Sequence, residues 1–435
     1  MNAATIARMP SIDLGPYTST EGYQRALSLD AEDPLSEFRS HYVHADPDLI
    51  YLDGNSLGRM PIDAPSLVNE VVESQWSDRL IRSWNEGWWE LQLRLGDLIA
   101  PLVGAGEGEV IVSDSTSVNL YKLAHAAVTA RPGKTKIVTD DLNFPTDIYV
   151  LEGIVKQLDV ELVIVESDGL VGPLESLTKA IDKDTALVTL SHTVFKSGYT
   201  YDLVQVGEMA HDVGALVLWD LSHSVGAVPI DLQASNADLA VGCTYKYLNG
   251  GPGAPAFLYV RKPLQETLSN PITAWWGHAE PFEFDLSFKP IKGIRQFHTG
   301  TMPILSLAAA ESGVSDVRKA GMSRIRAKSE LLSGFFIEQY EEHLEPLGFG
   351  LASPRSVGLR GSHISLSHVS GWPINRALIE VGQVIPDFRM PDNLRFGLSP
   401  LYNSFLDVHT ALQRLRAIVE SDIHSAFTDA TATVT

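Results

Sequence analysis

Short apolar, β-rich runs recur through the middle of this chain, and helix-period segments separate most of them. The runs fall at 110–113, 136–139, 160–165, 186–190, 215–219, 239–243 and 255–260. Between them, 146–158 and 203–213 repeat apolar residues at helical spacing. This alternation predicts βαβ units and a mostly parallel sheet. Nearly continuous apolar character suits strands covered on both faces. In such sheets ligands gather beyond the carboxyl ends of the strands. Polar residues just past those ends are therefore the first candidates for chemistry.

The texture changes after Pro303. The pattern predicts one long amphipathic helix over 305–344, a strand over 361–366 and a helix over 373–381. Residues 1–50 read as irregular, with a helical patch near 35–42. The expected fold class is α/β. A large mostly parallel-sheet domain would span 51–303, with a smaller α+β domain built from 304–435 and joined by 1–50. The tail after Thr428 reads as disordered.

Composition narrows the function. The chain has 435 residues, 44% hydrophobic and 20% charged, enough for a large core. A net charge of −21 leaves no basic stripe for nucleic acid or an anionic membrane. One cysteine, Cys243, precludes a disulfide framework within the chain and suits a reducing compartment. The N-terminus shows no apolar signal core, and the apolar runs are too short to cross a bilayer. A cytoplasmic protein is expected, with a small-molecule partner and no metal site.

The segment 217–260 carries the strongest chemical signal. One apolar strand ends in Asp220-Leu221-Ser222-His223, and another runs out into Tyr245-Lys246. A strand-end Asp is otherwise a helix cap, and a lone Lys is otherwise a solvated surface group. An acid and a lysine at neighbouring strand ends suit pyridoxal 5'-phosphate (PLP). The carboxylate holds the pyridine nitrogen protonated, and the lysine bonds the cofactor's aldehyde carbon. Tyr245, beside the lysine, is placed to relay protons. The run Ser115-Thr116-Ser117 lies between a strand and a helical pattern. Hydroxyls and amides at a helix N-terminus suit a phosphate dianion, or else form a plain N-cap.

These residues sit in a wider set of motifs: YLDGNSLG (51–58), SDSTSVNLYK (113–122), NFPTD (143–147), DLSHSVGAVP (220–229), TYKYLNGGPG (244–253), WWGH (275–278), GIRQFHTGTMPIL (293–305) and PDNLRFGLSPLYNSF (391–405). In this order they resemble the kynureninases, PLP enzymes of the aspartate-aminotransferase-like fold (fold type I), from about residue 50 to about residue 420. The resemblance implies a catalytic set of Lys246, Tyr245 and Asp220. It implies Ser115 and Thr116 as phosphate ligands, with Tyr245 and Trp275 also reaching the phosphate. Phe144 would stack on the pyridine ring, Asp147 would lie near the ring edge, and Ser191 and His223 would contact the cofactor. Thr301 matches a phosphate ligand supplied by a neighbouring subunit, which implies a homodimer with shared active sites. Arg395 matches the arginine that pairs with the substrate α-carboxylate, a role suited to its planar fork. Asn55 would join it in holding substrate. Trp84 and Gly300, with Thr301, lie where the family sets ring specificity, in a pattern favouring L-kynurenine over its 3-hydroxy form.

The implied reaction is hydrolysis of L-kynurenine to anthranilate and L-alanine. One departure stands out: the chain reads Thr193-Val194-Phe195 where the family has a Val-Asn-Tyr-like stretch, so an amide and a phenol are missing. That leaves open an aminotransferase or a hydrolase of another β-acyl amino acid on the same fold. A non-catalytic PLP-binding protein is the alternative of a different class. Cysteine desulfuration needs a mobile thiolate C-terminal to the lysine, whereas Cys243 precedes Lys246.

Overall fold

The computed structural model describes residues 20–427. In chain order its strands are β1 (Ile50–Tyr51), β2 (Val110–Val112), β3 (Lys136–Asp140), β4 (Glu161–Val165), β5 (Thr185–Ser191), β6 (Leu216–Asp220), β7 (Leu239–Gly242), β8 (Phe257–Val260), β9 (Gly350–Leu351), β10 (His363–Ser367), β11 (Val384–Ile385), β12 (Asp387–Arg389) and β13 (Asn393–Gly397). The central sheet has the order β2-β8-β7-β6-β5-β3-β4. Strands β3 to β7 run parallel, as the alternating pattern predicts. β8 is antiparallel to both its neighbours. A parallel return needs a crossover, usually a helix, and the stretch from β7 to β8 holds the Lys246 turn and no helix.

Side chains alternate across this sheet as the pleat requires. On β6, Leu216 and Leu218 join a core with Leu123 and Leu151, from the helices Thr116–Thr129 and Pro145–Leu158. Val217 and Trp219 point the other way, into a core with Val206 and Leu307, from the helices Leu203–His211 and Ile304–Ala320. The sheet is thus buried on both faces. Register keeps the strand ends level: Ser191 of β5 pairs with Asp220 of β6, and Asp220 with Val241 of β7. Whatever follows β6 and β7 therefore emerges into one crevice.

A second, antiparallel sheet has the order β12-β13-β10-β9. Its core joins Ile364 and Phe396 to Leu332, Phe336 and Leu412, from the helices Met322–His343 and Phe405–Glu420. Ala26, Ile50 and Leu52 enter the same core, and β1 pairs in parallel with β11. The N-terminal part of the chain is thereby tied to the C-terminal part.

Some elements differ from the sequence pattern. A helix, Glu21–Ala31, stands where irregular chain was expected; Thr20 caps it by accepting from the Tyr23 amide. Only Ala26 on it is buried, with Leu29 packed partly against the same core, so its buried face is small. The expected helix over 305–344 is two helices, Ile304–Ala320 and Met322–His343. Gly321, at φ 79°, turns the chain between them in a conformation glycine adopts without strain. The patch near 35–42 is a 3₁₀ helix, Ser36–His41. The expectations for the tail and for a leader fall outside the described residues. Among the described residues, no helix is long and apolar enough to cross a membrane.

Candidate active site

Asp220 ends β6, and its Oδ1 accepts from the Ser222 amide at 2.8 Å. Across from it, Asp147 sits in the first turn of the helix Pro145–Leu158, where Pro145 at the start suits the fixed φ of proline. Both carboxylates are buried. Burial pushes the Asp147 carboxyl well above the usual carboxylate range, the Asp220 carboxylate adds to this, and the Lys246 cation opposes it. Two such groups side by side need a proton or a cation between them.

Lys246 lies in the turn after β7. That turn is closed by Gly250 N–H donating to Thr244 O at 2.8 Å and by Gly58 N–H donating to Tyr245 O at 2.7 Å. Lys246 Nζ is 2.9 Å from His223 Nε2. Burial, with Lys246 and Arg395 nearby, holds the His223 imidazole far below its ordinary pKa. It is therefore neutral, and its Nε2 can accept from the lysine ammonium. His223 Nδ1 is buried with no partner among the described residues. Phe144 caps the helix of Asp147 and is 42% exposed; its ring meets the edge of Phe195 at 5.2 Å.

Thr116 and Ser117 open the helix Thr116–Thr129, whose N-cap is Ser115. The turn before that helix is held by Asp114, at φ 50°, through hydrogen bonds from Lys122 Nζ at 2.8 Å and Thr299 Oγ1 at 2.8 Å. Lys122 is fully buried and also donates to Phe297 O at 2.8 Å. On the opposite wall, Arg395 of β13 is 1% exposed. Its Nη1 donates to Phe195 O at 2.6 Å and its Nη2 to Ser56 Oγ at 2.8 Å, and it is ion-paired with Asp387. Asn55, in the amide orientation that satisfies both its ends, accepts from Arg395 Nε at 2.8 Å and donates to Asp53 Oδ1 at 3.2 Å.

Of the residues singled out from sequence, Asn55, Thr116, Phe144, Asp147, Asp220, His223, Tyr245, Lys246 and Arg395 line one cavity of about 210 Å³. The others lie outside its lining. Ser191 is buried at the end of β5, in register with Asp220. Ser115 is exposed, and its hydroxyl accepts from the Val118 amide. Trp84 packs on Trp88 and Trp276, while Trp275 packs on Trp89 and Trp276 and is 44% exposed. Gly300 and Thr301 are exposed. Ser56, Ser117, Thr146, Ser222 and Arg389 line the cavity without having been given a site role of their own from sequence. For Ser117 and Ser222 the signal was adjacency to Thr116 and His223. Arg389, in a three-residue strand, gave none.

The donor set fits PLP. The acid pair suits a cationic N–H, Lys246 faces the cavity, Phe144 offers a flat apolar ring, and hydroxyls at a helix N-terminus suit an anion. A site of this kind beyond the strand ends of this sheet defines a PLP-dependent enzyme of fold type I. Residues 95–349 match the class-V aminotransferase family and residues 325–415 match the kynureninase C-terminal domain. The chain belongs to the kynureninase family. It is 43% identical over 399 residues to the kynureninase of Pseudomonas fluorescens, covering 91% of this chain and 94% of the relative. It is 42% identical over 406 residues to that of Burkholderia pseudomallei (strain 1106a), covering 92% and 96%. Solved structures share the fold at lower identity. The apo cysteine desulfurase of Thermococcus onnurineus NA1 superposes with a TM-score of 0.74 at 19% identity, over 91% of this chain and 98% of the other. A C-DES mutant with glycine covalently linked to its PLP cofactor gives 0.73 at 15% identity, over 85% and 97%.

Proposed function

We propose that this chain hydrolyses L-kynurenine to anthranilate and L-alanine, with PLP held at Lys246. The observation that carries the reading is the meeting of Lys246, Asp220 and Arg395 around one cavity in a chain of this family. Bound there, PLP supplies an electron sink for the bonds around the amino-bearing carbon. Lys246 moves the Cα proton, and neutral His223 keeps its Nζ aimed into the cavity. Asp220 and Asp147 keep the proton on the pyridine nitrogen. Tyr245 is the proton donor for the departing Cβ: Cys243 beside it, and burial, push its phenol up, so it stays protonated at neutral pH. Arg395 fixes the α-carboxylate. Water adds to the γ-carbonyl, the Cβ–Cγ bond breaks, and Cβ takes a proton to give the alanine methyl group.

Thr193, Val194 and Phe195 all lie outside the lining of the cavity, so the departure does not stand against kynurenine. Thr193 Oγ1 bonds Thr200 Oγ1 at 3.0 Å and Val194 is buried in the large core, so both face away from the cavity. Phe195 reaches the site through its carbonyl, on Arg395, and its ring, against Phe144.

The remaining site roles follow the same reading. Ser115, Thr116 and Trp275 hold the phosphate, Ser191 contacts the cofactor, and Trp84 and Gly300 border the substrate ring. Thr301 serves the site of a second copy. Exposed Trp76, Leu80, Ile81, Phe282, Phe284 and Leu286 supply apolar surface for that homodimer. Residues 51–303 would act as the cofactor-holding unit, and 1–50 with 304–435 as the smaller one. A cytoplasmic location fits the single, buried Cys243.

The test is a steady-state assay of the PLP-loaded protein with L-kynurenine and 3-hydroxy-L-kynurenine side by side, following anthranilate fluorescence and alanine. Preference for L-kynurenine is expected. Preference for the hydroxylated substrate keeps the reaction and discards the roles of Trp84 and Gly300. A PLP-bound protein active on neither overturns the reading.

A further inference from the structure

The arginine assigned to the substrate carboxylate is nearly saturated by the protein. Guanidinium carries five N–H donors. On Arg395, Nε faces Asn55, one Nη1 hydrogen goes to Phe195 O, and the two on Nη2 go to Ser56 Oγ and Asp387. Four of five are engaged, and the side chain is 1% exposed. A two-pronged grip on a carboxylate needs two free N–H groups side by side. Arg395 offers one unless its own cradle opens.

Arg389 is ion-paired with the same counter-ion, at the same Oδ2. Its Nη2 is 2.8 Å from Asp387 Oδ2, and its Nη1 donates to the neighbouring Phe388 O at 3.1 Å. Its Nε has no partner among the described residues. Two of its five donors are engaged, which leaves three. Arg389 also lines the cavity, and its side chain is 32% exposed, against 1% for Arg395. Asp387 thus sits between two guanidinium groups, one locked and one accessible. Burial and the Arg395 cation depress the Arg389 guanidinium, with Asp387 and Asp53 opposing them. An arriving carboxylate relieves that repulsion.

We propose that Arg389 supplies the second guanidinium of the substrate-carboxylate site, taking one carboxylate oxygen while the last free N–H of Arg395 takes the other. This rests on the assignment of Arg395 to the substrate carboxylate. Asp387 is the positioning residue that holds the two cations together at its Oδ2.

The test uses the PLP-loaded protein and two probes that differ only at the carboxylate, L-alanine and L-alaninamide, titrated by the cofactor's absorbance. Arg389→Gln should weaken L-alanine by about tenfold to a hundredfold, the range for a charge-assisted hydrogen bond. It should leave L-alaninamide nearly unchanged, and raise the KM for L-kynurenine more than it lowers kcat. Arg389→Lys keeps the charge without the fork and should recover part of the loss. Arg395→Gln is run in parallel. Loss of carboxylate selectivity in Arg395→Gln alone overturns this proposal and keeps the Arg395 reading. Loss in Arg389→Gln alone keeps Arg389 as a carboxylate ligand and overturns the Arg395 reading. Retention in both variants overturns both.

Discussion

Lys246 and Asp53 show how far single side chains determine the behaviour of this site. Lys246→Ala should abolish turnover and the absorbance of the lysine-linked cofactor, with folding checked by circular dichroism; retained absorbance would mean that another lysine holds PLP. Asp53 is less obvious. It is joined to Arg395 through Asn55, and burial, then the Asp387 carboxylate, push its carboxyl up to about 7 against the pull of Arg395, Ser56 and Arg389. An unfolded Asp titrates near 4. Between about pH 4 and 7 the folded chain therefore holds a proton that the unfolded chain has lost, and stability falls as pH rises. The slope is on the order of 1 kcal/mol per pH unit. Asp53→Asn should remove that slope from the thermal midpoint of the PLP-loaded protein and raise the midpoint above wild type at neutral pH. Parallel profiles for the two proteins would show that Asp53 is ionised in the folded state. Asp220 and Lys246 were legible in sequence because strand-end chemistry has a local signature. Asp53, Asp387 and Arg389 were not, because their meaning comes from β1, β12 and β13 converging on one wall, and no local period records that.

Elements hold the lysine turn by close backbone approach. A Cβ built on Gly313, in the helix Ile304–Ala320, would lie 2.3 Å from Leu248 O and 2.5 Å from Asn249 O. One built on Gly58 would lie 2.4 Å from Lys246 O. The turn after β7 is thus clamped between a helix and the N-terminal segment, and neither contact has a flexible side chain to yield. Gly313→Ala should lower stability by about 1–3 kcal/mol, the cost of overpacking a filled interior. Because Lys246 is two residues from Leu248, PLP retention on dialysis should fall with it. Gly334, in the helix Met322–His343, has its nearest such contact at 3.9 Å, at the end of the Arg360 side chain. Gly334→Ala should be neutral or stabilising, since alanine is the better helix former. Equal melting temperatures for Gly313→Ala and wild type would show that the helix is free to shift. The strands of the central sheet were legible as elements because both their faces are apolar. The helix Glu21–Ala31 was not, with Ala26 alone buried to mark its face. The break at Gly321 was masked because the apolar period continues on both sides of it.

At the scale of the whole molecule, two residues proposed for the phosphate stand apart from the Lys246 cavity. Trp275 and Thr301, matched to phosphate ligands, lie outside the lining of the cavity that holds Lys246, and Thr301 is exposed. Exposed Trp76, Ile81, Phe284 and Leu286 lie in the segments on either side of the Trp84–Trp275 aromatic group. If a second copy brings its Thr301 to this chain's Lys246, two damaged chains should repair one another. In a mixed dimer of Lys246→Ala and Thr301→Ala, one site carries both lesions and the other carries neither. Statistical mixing makes about half of the dimers mixed, so about a quarter of all sites become intact, the arithmetic of a closed two-fold assembly. Co-refolded mixtures should then exceed the mean activity of the two parents, while mixtures combined without exchange of subunits should match that mean. Equality in both cases would place each site wholly within one chain and leave the exposed apolar residues with some other occupant. Sedimentation of the wild-type protein at monomer mass would do the same.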